Sequence, residues 1–135
     1  VGAKIGARII TEALIKELAA KNLRNSFAGG NLEDPDLFWR NSYAGIVAEL
    51  DKITSLFEFK DKAVHDFFLF TVFGALITPE DTDIFSIGDG SYFLNSKFKK
   101  IGPFPDNTPP YIGYSICMLN KSTYIIGDIS PSSYI

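Results

Sequence analysis

Several residue types that chemistry relies on are scarce in this chain. It has one cysteine, Cys117, one histidine, His65, one methionine and one tryptophan among 135 residues. A lone cysteine closes no internal disulfide and leaves a structural zinc site without its second thiolate. The disulfide-rich secreted class is therefore excluded, and a reducing compartment, the cytoplasm, is expected. The longest apolar run, Phe67 to Ile77, is 11 residues, against about 20 for a membrane helix, so no span and no membrane partner are expected. No charged-then-apolar leader opens the chain either. Arginine is absent from Phe67 onward, where four Lys face five Asp and one Glu. With an overall net charge of −3, that balance argues against a nucleic-acid partner, which needs basic groups over its phosphates.

The common catalytic signatures are missing as well. The sequence has no Gly-x-x-x-x-Gly-Lys phosphate loop, no Gly-x-Gly-x-x-Gly after a strand, no His-Glu-x-x-His and no Gly-x-Ser-x-Gly. His65 has no nucleophile near it in sequence and reads as a solvated or capping residue. Cys117, between Ile116 and Met118, reads as a buried inert thiol.

What is present is a globular composition, 46% hydrophobic and 14% aromatic. Residues 2–21 read as a helix with Gly6, Ile10, Leu14 and Leu18 on one face. Its first two turns are small (Gly2, Ala3, Gly6, Ala7), so it can lie close to what it covers. Asn22 to Asn31 reads as a breaker. A second helix opens at Asp34-Pro35, a capping carboxylate followed by proline at the first helical position. Its stripe of Trp39, Tyr43, Ile46, Leu50, Ile53 and Phe57 predicts helix to about Phe59, ending at the charged stretch Lys60-Asp61-Lys62. That stripe suits packing on a sheet better than a coiled coil.

The character changes near residue 65. Phe67 to Ile77 reads as a central strand buried on both faces. Ile84 to Ile87, Tyr92 to Leu94 and Phe98 to Ile101 read as short antiparallel strands of one meander, with turns at Gly88-Asp89-Gly90 and Asn95-Ser96. Residues 102–110 form a proline-rich loop. Further strands are expected over Tyr111 to Leu119 and Tyr124 to Ile126, with a turn at Gly127-Asp128. Two helices (1–60) followed by strands (65–135) make a single α+β domain. The helices are expected on one face of the sheet, and the chain offers little to cover the other.

Carboxylates are the remaining chemical option. Asp89 closes an apolar strand between Gly88 and Gly90. Asp-Gly is a strong hairpin-turn signal, yet the same position could offer a hard oxygen to a divalent cation that the glycines let approach.

Three segments in order resemble the metal-dependent serine/threonine phosphatases of the protein phosphatase 2C type, in their bacterial branch. Val1-Gly2-Ala3-Lys4-Ile5-Gly6-Ala7 looks like the start of the helix after that family's Asp-Gly-x-Gly metal loop. Phe70-Thr71-Val72-Phe73-Gly74-Ala75 and Phe85 to Asn95 are similar to its Thr-containing strand and Gly-Asp hairpin. Asp106-Asn107-Thr108-Pro109-Pro110-Tyr111 is similar to the branch's Asn-x-Pro-x-Tyr segment. The resemblance implies a layered β-sandwich flanked by helices (αββα type), here incomplete. It implies hydrolysis of phosphoserine or phosphothreonine in a protein substrate, with Mg²⁺ or Mn²⁺ activating water. It also implies that Asp89 is the ligand of an accessory third metal, with Gly88 and Gly90 beside it. The family's main-metal motifs are not in the sequence. The chain opens on Val1 and its one methionine is Met118. Together these lead to the expectation of a central fragment of the domain, inactive alone. The alternative is a non-catalytic, partner-binding pseudophosphatase; an oligomerisation module is a third reading, and the oligomeric state is left open.

Overall fold

The computed structural model describes residues 1–31 and 33–117, together with the backbone of 130–134. The fold is α+β, with three helices followed by two small antiparallel sheets.

Helix α1 spans Gly2–Phe27, six residues past the expected end. Asn25 and Ser26 do not stop it. The stop comes at Gly29 and Gly30, whose φ values of 60° and 91° a helix cannot continue through. Arg24 in the last turn secures this end by donating to Glu17 at 2.6 Å and to Glu33, beyond the turn, at 2.5 Å. Gly2, Gly6, Ile10 and Leu14 are its buried face, and Leu18 is half-buried. Helix α2 spans Pro35–Thr54, and the Asp34 carboxylate accepts from the Asp36 backbone N–H at 3.0 Å, as its sequence start predicts.

The α2 stripe is buried through Leu50 and then gives out. Leu56 and Phe57 are exposed, and the Thr54 and Ser55 hydroxyls donate back to the carbonyls of Leu50 and Asp51 at 2.8 and 2.6 Å, closing the helix five residues early. The charged stretch expected to break structure instead begins helix α3, Lys60–Phe67. Lys60 pairs with Asp51 of α2, Lys62 pairs with Asp66 one turn on, and Ala63 and Val64 are buried beneath. A charged surface over a two-residue apolar contact is enough to dock one short helix.

The apolar run from Phe67 is therefore divided. Phe67 ends α3, Phe68 is buried in the core, and strand β1 covers only Val72–Ile77. Nor is β1 a central strand buried on both faces. It pairs antiparallel with β2 (Thr82–Ile87), which pairs on its far side with β5 (Ser130–Tyr134), so β1 is an edge strand among the described residues. Val72 is buried against the helices, whereas Phe73 and Ile77 point the other way and are exposed. Alternation, rather than double burial, is what a sheet with helices on one face produces.

The core lies between α1, α2 and that face. Ile10, Leu14, Trp39, Ile46, Val72 and Phe85 belong to one cluster, with the Trp39 and Phe85 rings 5.5 Å apart. Strands β3 (Gly90–Leu94) and β4 (Lys97–Ile101) form a separate hairpin. It turns at Asn95-Ser96, whose φ values of 48° and 63° fit the tight hairpin turn expected there. This hairpin touches the other face of β1, where the Tyr92 ring lies 6.1 Å from that of Phe73. Over Tyr111 to Leu119, Ile112–Ile116 is a 3-10 helix instead of a strand, and the remaining residues of that segment from Met118, with the strand and turn expected over 124–128, lie outside the described residues. Ile112 and Ile116 are both buried in the core.

Candidate functional site

Asp89 sits where the two sheets meet. Strand β2 ends at Ile87 in one sheet and β3 begins at Gly90 in the other. Gly88-Asp89-Gly90 is therefore a crossing between sheets, and the hairpin turn expected there is not formed. The chain can bend sharply because Gly88 has a φ of 100°. The crossing is also packed tightly. A Cβ on Gly90 would lie 2.3 Å from the Phe73 ring, and one on Gly88 would lie 3.0 Å from the Thr71 hydroxyl.

That hydroxyl is the partner of the carboxylate. Thr71 Oγ1 donates to Asp89 Oδ1 at 3.3 Å. Thr71 immediately precedes β1, so the bond joins the entrance of one strand to the exit of its neighbour. Gly102, just after β4, approaches from the other side: a Cβ there would lie 3.2 Å from Asp89 Cβ, and its φ is 91°. Three glycines thus crowd backbone around an exposed carboxylate.

The sequence reading singled out Asp89, Gly88 and Gly90, and the structure places them together. It did not single out Gly102 or give Thr71 a role at the site. The available signals were a single hydroxyl inside the apolar run Phe67 to Ile77 and a glycine ending a strand, each too common to be informative alone. His65 is exposed in the last turn of α3, its ring 6.3 Å from that of Tyr114. Cys117 is buried, and burial raises its thiol above the usual range, which keeps it protonated and unreactive.

Mg²⁺ and Mn²⁺ are hard cations that prefer about six oxygen ligands. Among the described residues no three His, Cys, Asp or Glu side chains come together as a ligand group. One carboxylate does not hold such an ion firmly, so the described residues do not by themselves fit a catalytic metal centre. The arrangement offers an anchored, solvent-facing oxygen ligand at a sheet junction. An apolar groove of about 300 Å³ runs between α1 and β1 and reaches Thr71 beside the junction, lined by Ala7, Thr11, Ile15, Val72, Gly74 and Leu76 among others. No lining residue is charged, so the groove offers packing rather than chemistry. No helix among the described residues is long and apolar enough to cross a membrane.

No family model, curated protein or solved structure matches the chain.

Proposed function

We propose that this chain is the central part of a metal-dependent protein serine/threonine phosphatase domain of the 2C type, acting in the cytoplasm on phosphorylated proteins. The observation that carries the reading is the Asp89 junction, an exposed carboxylate anchored by Thr71 and flanked by glycines where two sheets meet. By the ordered trio of resembling segments, that junction would correspond to the family's Gly-Asp position. In the complete domain, Mg²⁺ or Mn²⁺ would polarise the phosphate and activate water. Asp89 would add one oxygen ligand to an accessory ion, and Thr71 would hold that oxygen in position. The main-metal ligands would come from outside the 135 residues, and the chain alone would be inactive.

The lack of further metal ligands among the described residues favours a second reading, a non-catalytic relative that binds a partner. The two are separated by assaying the longer parent with Mn²⁺ and a phosphothreonine peptide. Metal-dependent release of phosphate supports the phosphatase, and its absence at saturating Mn²⁺ overturns it. Turnover by the 135-residue chain itself would overturn the claim of inactivity.

A further inference from the structure

The β3–β4 hairpin collects the positive charge of an otherwise acidic region. Three of the four lysines found from Phe67 onward are Lys97, Lys99 and Lys100 on β4, and residues 90–101 contain no Asp or Glu. All three lysines are exposed. Directly opposed residues of an antiparallel pair share a face. Phe93 and Phe98 are such a pair, and Lys100 lies on their face opposite Ser91; Lys97 and Lys99 lie on the other face, opposite Leu94 and Tyr92. The two Phe rings are 5.1 Å apart and remain 73% and 56% exposed. Among the described residues β4 pairs with β3 alone, and no described strand lies on its other edge.

We infer that the outer edge of β4 binds an extended acidic peptide segment as an added strand. Charge complementarity selects an acidic partner. The distribution of the lysines selects a strand over other anionic partners. Successive side chains of an added strand point to opposite faces, so acidic residues on either face meet a lysine, and an apolar residue on the outer face meets Phe98. A lipid surface or a stacked single-stranded nucleic acid would need its cations on the same face as the Phe pair, and only Lys100 is there. The inference does not depend on the phosphatase reading. The competing account is that the lysines merely keep an open edge from aggregating, which requires no ligand.

The test is fluorescence anisotropy of a labelled heptapeptide of alternating Glu and Val with the full 135-residue chain. Saturable binding is expected. It should weaken by about tenfold in the double variant Lys97→Glu, Lys100→Glu, whose fold is checked by circular dichroism. Binding should weaken with added salt, and amide exchange along Lys97–Ile101 should slow in the complex. The inference is overturned by absence of saturable binding, by unchanged affinity in the double variant, or by unchanged exchange along β4. Equal or tighter binding of phosphatidylserine vesicles or oligothymidylate would also overturn it, because the surface would then be a general anion binder.

Discussion

The Thr71 hydroxyl donates to Oδ1 of Asp89 at 3.3 Å, linking the residue before β1 to the residue after β2. On the proposed phosphatase reading, Asp89→Ala in the longer protein is expected to lower metal-dependent turnover while leaving the melting temperature within about 1 °C, because an exposed side chain contributes little to stability. Thr71→Val should cost about tenfold, and Thr71→Ser should restore activity, as expected for a group that orients a ligand. An Asp89→Ala protein that melts several degrees lower at full activity would assign the carboxylate to the crossing alone.

Tyr43 and Ser115 are joined by a hydrogen bond of 2.5 Å between their hydroxyls, across 72 positions of sequence. It fixes the 3-10 helix Ile112–Ile116 to α2. Tyr43→Phe should destabilise by about 1 kcal/mol in urea unfolding. Ser115→Ala added to it should cost little more, since the bond is already lost.

Gly113 leaves no room for a side chain: a Cβ there would lie 2.5 Å from the Phe68 carbonyl oxygen, which is backbone and cannot step aside. Gly113→Ala should destabilise by about 2 kcal/mol or more. Gly45, exposed in the middle of α2, meets nothing within 4 Å. Gly45→Ala should stabilise by about 0.5–1 kcal/mol through helix propensity and a stiffer unfolded chain. The opposite signs of the two substitutions are checked by thermal melts.

Asp83 faces the core side of the sheet opposite Leu76, and its Oδ1 is buried with no hydrogen-bond partner among the described residues. Burial, and secondarily the nearby Asp81, raise its carboxyl above the usual value, while Lys21 opposes this. The folded state therefore holds the proton more tightly than the unfolded chain does. Stability from the neutral form is present below the unfolded carboxylate value of about 4 and is lost as pH rises through the folded value. Asp83→Asn should raise the melting temperature by about 1–3 °C at pH 7, and the gain should disappear near pH 3. A gain that is equal at both pH values would remove charge burial as its cause.

Local features were legible wherever a short-range code wrote them. Asp34-Pro35 marked the start of α2, and the Trp39-Tyr43-Ile46-Leu50 spacing marked its buried face. Asn95-Ser96 marked a true hairpin. The Lys60-Asp61-Lys62 stretch misled because a charged turn and the solvated first turn of a helix look alike. Only the burial of Ala63 and Val64 against α2 and the 3-10 helix distinguishes them. Gly88-Asp89-Gly90 misled for a related reason, since glycine permits a sharp bend without specifying which strand lies beyond it.

The sequence by itself determined the α+β class, the positions of most elements, the glycine-flanked carboxylate and the scarcity of catalytic side chains. These follow from composition and from periodicities that act within a few residues. Tertiary structure alone decided that β1 is an edge strand, that β2 and β3 belong to different sheets, and that Thr71 and Gly102 are the neighbours of Asp89. Those facts depend on which distant segment packs or pairs with which, and that choice is made by the summed burial and hydrogen bonding of the folded chain.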